Sequence, residues 1–338
     1  MKVRTLLKAA SLVGTGLLVR EIVRQRRWFN VAGSTVVITG GSRGLGLVLA
    51  RTLVQRNARV AICARDEGEL VRARDELAGL GGDVMTAVCD LTDRDEALRF
   101  IQAVEDDFGP IDVLVNNAGI IQVGPLETMT ADDFDKALDV NLRGPLHATL
   151  AVLPKMRARR AGRIVNIASV GGKIAVPHLA PYTASKFALV GLSQAMRAEL
   201  AKDNVFVTTV SPGLMRTGSP RRAWFKGNIQ AEYAWFTIGD SLPVTSISAE
   251  SAAAQIITAF TRGQAELVIS AQAKLAALAA ALAPGAVAEV MQLVARILPA
   301  AGAAPKRTAT EGRDAISDWA PSRFTKLGDE AADKNNEN

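Results

Sequence analysis

Residues 34–46 read STVVITGGSRGLG, and the fold turns on that stretch. Its first half, Thr35–Thr39, is an uninterrupted β-branched run, the pattern of a strand buried on both faces. Its second half sets Gly40, Gly44 and Gly46 where the chain must turn tightly, let backbone approach a pyrophosphate, and pack a helix against the strand. The helix that opens there offers unpaired N–H groups and a positive dipole end to an anion. A glycine triplet alone is a weak signal, because loops are rich in glycine; its position between strand and helix gives it weight.

The alternation continues outward. Short β-branched runs at Arg59–Cys63, Val84–Val88, Asp112–Asn116, Arg163–Ala168, Val205–Val210 and Glu266–Ser270 are separated by segments of helical length and period, among them Leu45–Arg56, Glu67–Leu80, Arg94–Phe108, Ala131–Arg159 and Ala184–Ala201. Seven strands divided by helices predict an α/β fold, a Rossmann-type doubly wound parallel sheet of seven strands in three α/β/α layers. Such a sheet binds its ligand at the carboxyl ends of the strands, so residues there are the candidates for chemistry.

Around the glycine turn, Gly40, Ser42, Arg43, Gly44, Leu45 and Gly46 are the first cofactor candidates. The second strand runs into RVAICARDEGEL, with Arg65 just past it and Asp66 beside that. A carboxylate at this point accepts from both ribose hydroxyls and favours NAD(H). Two guanidinium groups, Arg43 and Arg65, suit a 2′-phosphate, so NADP(H) is favoured over NAD(H), with Asp66 free to pair with Arg65 or take the ribose. Asp90 and Leu91 in CDLTD follow the third strand, and Asn117, Ala118 and Gly119 in NNAG follow the fourth. Asp90 can accept from an adenine amino group, and the small Ala118-Gly119 pair lets the chain pass close to adenosine. Each motif is also an ordinary cap or turn.

The fifth strand ends at Ser169 in IVNIAS; Tyr182 and Lys186 lie in YTASK, and Asn141 in DVNLRG. A phenol with pKa about 10 is a poor acid–base catalyst at neutral pH and needs a neighbouring cation to favour phenolate. Lys186 is four residues on, on the same helix face, and is expected to lower the Tyr182 pKa. Ser169 can donate to a carbonyl oxygen and to the oxyanion that forms as hydride arrives.

With the Pro212-Gly213…Thr217 segment, these motifs resemble a single-domain short-chain dehydrogenase/reductase, in that family's order, over roughly seventy per cent of the chain from about Ser34 to Ser270. The resemblance implies that Asn141 holds a water in a proton relay through Lys186, that Lys186 also bonds the nicotinamide ribose, and that Thr217 contacts the carboxamide end. It further implies pro-S hydride transfer and a homodimer or homotetramer built through the helices bearing Asn141 and Tyr182.

The domain so defined covers residues 31–270. Before it, residues 1–30 hold seven basic residues against Glu21, which accounts for the whole net charge of +6. The balanced body argues against a nucleic-acid surface. The longest uncharged run of the leader, Ala9–Val19, makes roughly 16 Å of helix, about half the hydrocarbon thickness of a bilayer. It reads either as a helix lying in a membrane surface, with Trp28 and Phe29 at the interface, or as one docked on its own domain. Residues 271–301 form an apolar helical pair broken at Pro284-Gly285, and residues 302–338 read as a largely disordered tail. Cys63 and Cys89 read as two buried thiols, without metal-ligand or redox-pair spacing. The location expected is cytoplasmic, with contact at the inner face of a membrane.

Aromatic residues Trp224, Phe225, Tyr233, Trp235 and Phe236 follow the sixth strand, where this architecture carries a substrate lid. They suit a lipophilic carbonyl or secondary alcohol of fatty acyl, sterol, retinoid or terpenoid type. The competing reading is a non-catalytic cofactor-binding or membrane-recruited scaffold on the same fold.

Overall fold

The computed structural model describes residues 27–302, 306–315, 317 and 319–337, so the leader before Arg27 lies outside the described residues. Strands β1 (Thr35–Thr39), β2 (Arg59–Ala64), β3 (Val84–Val88), β4 (Val113–Asn116), β5 (Gly162–Ile167), β6 (Val205–Pro212) and β7 (Glu266–Ile269) form one sheet. Its order is β7-β6-β5-β4-β1-β2-β3, and every neighbouring pair is parallel. The order reverses direction beside β1, which places the crevice above β1 and β4.

Alternation along β1 divides the core. Val36 and Ile38 face the helices α1 (Gly44–Val54) and α8 (Ala249–Thr261), joining Leu47, Leu53, Ile256 and Phe260. Val37 faces the other way, toward α3 (Arg94–Phe108) and α5 (Gly144–Ala158), with Phe100, Ile101 and Val152. Each fully buried aliphatic side chain contributes about 1.5–3 kcal/mol, so the sheet is held from both sides. Asp66 caps α2 (Glu67–Gly79) by accepting from the Glu69 N–H, and Asp93 caps α3 through the N–H groups of Asp95 and Glu96.

The helix predicted over residues 131–159 is not a single α-helix. It is α4 (Ala131–Leu138), a π-helical turn at Asp139–Arg143, and α5, and the one-residue widening swings Asn141 inward. Helix α6 (Ala180–Leu200) carries Tyr182 and Lys186, and α7 (Ile229–Ser241) is the lid helix.

The segment after Gly302, expected to be largely disordered, is ordered over most of its length. Lys306–Glu311 pairs antiparallel with Trp224–Gly227, which in turn runs parallel to Gln122–Val123. Helix α11 (Lys326–Lys334) follows, and Ala332 packs so closely on Gly218 that a Cβ there would lie 2.5 Å from the Ala332 Cα. Composition hides this because the tail is anchored by polar partners and close glycine contacts on the body, not by an apolar stripe of its own.

Helices α9 (Ala271–Leu282) and α10 (Pro284–Ile297) lie on each other, and α10 buries no residue. Leu282 and Ile297 are among the most exposed apolar side chains. Among the described residues no helix is long and apolar enough to cross a membrane. At the start of the described chain, Phe29 packs against the core and under the Arg163 guanidinium, leaving Trp28 as the exposed aromatic.

Candidate active site

The cofactor end is built on close approach. Gly40 has φ +63°, and a Cβ there would meet the Ala118 Cα at 2.8 Å; a Cβ at Gly46 would lie 2.2 Å from the Gly40 carbonyl oxygen. Asn117 locks the turn by donating to the Thr39 and Gly40 carbonyls at 3.1 and 2.9 Å. Above this floor runs a cavity of about 920 Å³, near the upper end of the range for organic ligands. Arg65 and Asp90 line one end, and Ser169 and Tyr182 the other. All of the predicted cofactor contacts line it except Gly46, which packs beneath the turn, and among the predicted catalytic residues only Asn141 stands behind its wall. A turn that tolerates no side chain, a helix N-terminus and an elongated cavity together fit a dinucleotide.

At the adenosine end the charges are arranged differently from the sequence reading. Asp66 caps α2 through Oδ1 and also lines the cavity, so its other oxygen stays open to a ribose hydroxyl or to Arg65. The buried Glu69 is the organising carboxylate: it accepts from Ser42 Oγ at 2.9 Å, from Arg43 at 2.8 Å and from Arg222 at 2.9 Å. Glu337 adds a second ion pair to Arg43 at 3.2 Å. Burial pulls the Arg43 pKa down, and Glu337 and Glu69 more than reverse it, so the group is raised overall. Asp90 accepts from the Thr92 N–H and hydroxyl, closing its own turn with one oxygen. Sequence reasoning missed Glu69, Arg222 and Glu337, because the contact between Arg222 and Glu69 spans 153 residues and no local pattern reports it.

At the other end, strand β5 delivers Ser169 and the first turns of α6 deliver Tyr182 and Lys186. Ser169 Oγ accepts from the Gly171 N–H at 3.0 Å, and Ser169 and the Tyr182 ring meet at Gly171, where a Cβ would lie 3.4 Å from Ser169 Oγ and 3.2 Å from Tyr182 Cε1. Lys186 Nζ donates to the Ile167 carbonyl at 3.0 Å and lies 5.7 Å from the Tyr182 ring centroid. Asn141 accepts from the Ile120 N–H at 2.9 Å and donates to the Ile120 carbonyl and Ser185 Oγ at 3.1 and 2.9 Å. A Cβ on Gly119 would come within 3.0 Å of the Asn141 amide oxygen and 3.4 Å of Lys186 Nζ, so the glycine leaves room for both.

The expected lowering of the Tyr182 pKa is not what this arrangement gives. Burial dominates and pushes the phenol up, the neighbouring Ser169 hydroxyl pulls it back, and Asp240 pushes it further up. Lys186 is itself brought down to about 8 by burial. Desolvation of a phenolate outweighs an ammonium held on a backbone carbonyl, so Tyr182 is a protonated donor at neutral pH.

Asp240 on α7 also went unremarked in the sequence. It is buried, accepts from the Met215 N–H at 3.2 Å, and burial lifts its pKa to about 7. The lid aromatics divide in two. Phe225 and Tyr233 form a buried edge-to-face pair with centroids 5.4 Å apart, whereas Trp224, Trp235 and Phe236 line the cavity. The two cysteines, unrelated in spacing, come near each other: Cys63 and Cys89 are free and buried at the ends of the neighbouring strands β2 and β3.

Fold and site together define a Rossmann-type oxidoreductase that uses a nicotinamide dinucleotide. The profile of the short chain dehydrogenase family matches residues 34–224, and the chain belongs to the short-chain dehydrogenase/reductase family, enzymes of alcohol and carbonyl groups. A dehydrogenase/reductase SDR family protein 7-like protein of Anopheles gambiae is 34% identical over 258 residues, 75% of this chain and 80% of that one. Gluconate 5-dehydrogenase of Gluconobacter oxydans is 36% identical over 57% of this chain and 76% of its own length. Among solved structures, an actinorhodin polyketide ketoreductase with NADPH superimposes with a TM-score of 0.63 at 30% identity, covering 70% of this chain and 95% of that one. Levodione reductase gives 0.63 at 25% identity, covering 72% and 98%.

Proposed function

We propose that this protein transfers a hydride between NADP(H) and a carbonyl or secondary alcohol, with Ser169, Tyr182, Lys186 and Asn141 as its catalytic set. The observation that carries the reading is that Ser169, Tyr182 and Lys186 line the same cavity as the glycine turn. The nicotinamide supplies the hydride in reduction and takes it in oxidation. In reduction, Ser169 steadies the substrate oxygen and Tyr182 gives it a proton from a phenol that burial keeps protonated. Lys186 stabilises the phenolate left behind, and Asn141 fixes the Ile120 backbone opposite Lys186.

The 2′-phosphate preference rests on Arg43 and Arg65 at the adenosine end. Arg65→Ala is expected to weaken NADPH binding about tenfold and NADH binding less than twofold, measured by titration of cofactor fluorescence. Equal losses would overturn the preference.

Trp224, Trp235 and Phe236 along the cavity favour a lipophilic substrate over a small polar one. A nicotinamide-absorbance screen of ketones and alcohols with both cofactors tests this, and faster turnover of small polar carbonyls than of long-chain or polycyclic ones would refute it. The exposed apolar faces of α9 and α10, with the basic leader, support peripheral contact with the inner face of a membrane, and the family scaffold supports a homo-oligomer.

A further inference from the structure

The end of the chain reaches the glycine turn. The Gly44 N–H, the first of helix α1, donates to the Asn335 carbonyl at 2.9 Å. Asn336 donates to the carbonyls of Ser42 and Glu69 at 2.9 and 3.1 Å and accepts from Arg72 at 2.7 Å. Arg51 holds the Asn335 side chain at 2.8 Å and the Lys334 carbonyl at 2.7 Å. The Glu337 carboxylate is 4% exposed, pairs with Arg43, and stands over Gly44 so closely that a Cβ there would lie 2.6 Å from Oε1.

A dinucleotide phosphate needs three things from this corner: an N–H at the start of α1, the bare face of a glycine, and a guanidinium. The tail takes all three. Gly44 has φ +53° and no side chain, which leaves an anion room to come down on the turn, and the anion that does so here belongs to the chain itself. The Asn335 carbonyl occupies the Gly44 N–H and the Glu337 carboxylate fills the space over Gly44, so a phosphate can reach this corner only when both have left it.

We propose that residues Asn335–Glu337 are an intramolecular ligand of the cofactor's phosphate subsite, and that the dinucleotide binds by displacing them. The proposal rests on use of a nicotinamide dinucleotide. The tail is suited to leave. Glu337 Oε2 meets Arg43 Nε at 3.2 Å as an ion pair without hydrogen-bond geometry, and burial lifts the carboxyl to about 7, so the occupant is held by less than a full set of donors. A phosphate brings more charge and more acceptor oxygens to the same donors. The apparent cofactor Kd is then the intrinsic value divided by the fraction of molecules whose tail is released.

The test compares the full chain with Glu337→Gln, which keeps shape and removes charge, and with a chain ending at Lys334. Binding of NADPH and of NADH is measured by titration, and hydrogen exchange of residues 326–337 is followed with and without saturating NADPH. Displacement predicts about tenfold tighter binding of at least one cofactor in the shortened chain, a smaller gain in Glu337→Gln, and faster exchange of the segment when NADPH is bound. Unchanged or weaker binding in the shortened chain, or slower exchange with NADPH, would overturn it and make the tail a clamp on the cofactor. Failure of every form to bind either cofactor would instead remove the cofactor reading on which the proposal rests.

Discussion

Tyr182→Phe is expected to lower kcat by about a thousandfold in both directions while leaving the Kd for cofactor within about threefold, as loss of a general acid–base does. Phenylalanine keeps the ring and the packing at the start of α6 and deletes only the hydroxyl, in the cavity that Ser169 also lines. The substrate oxygen then develops negative charge with no proton donor, since Ser169 is less acidic and Lys186 is turned to the Ile167 carbonyl. Steady-state rates with cofactor titrations on the same preparations check this. Retention of more than a tenth of the wild-type rate would remove Tyr182 from the mechanism.

Lys186→Ala is expected to cost about a hundredfold or more in kcat, with a pH signature that a packing defect lacks. Burial brings the Lys186 ammonium down to about 8, and it is hydrogen-bonded at 3.0 Å to the strand end that carries Ser169. Below that pH the group is charged and stabilises the phenolate that forms as Tyr182 gives up its proton. Above it the charge is lost, so the wild-type reduction rate should fall as pH rises through about 8, and the inflection should be absent in Lys186→Ala. A variant that retains the inflection would assign it to another group.

The parts of the site that the sequence made legible are those built from local pattern. The run Thr35–Thr39 with its glycines prescribes a strand, a turn and a helix start within thirteen residues, and Tyr182 and Lys186 share a helix face by spacing alone. The parts it concealed depend on contacts across the chain. Glu69 reads as one acidic residue in a charged helix, yet it is buried because Ser42, Arg43 and Arg222 converge on it from two distant segments. Asn141 was found by its motif, but the π-helical turn that aims it has no periodic signature. The tail was misread because its polarity is satisfied by the body. The Tyr182 pKa was misjudged because spacing reports the nearby ammonium and does not report the burial that outweighs it.

The central claim, hydride transfer at this cavity, is tested most directly by carrying deuterium at both C4 positions of the reduced nicotinamide and locating it in the product of a ketone accepted in the absorbance screen. The account predicts one deuterium on the carbinol carbon, a solvent proton on its oxygen, and one cofactor oxidised per alcohol formed. Product that carries no deuterium, or that forms without net consumption of cofactor, would contradict it.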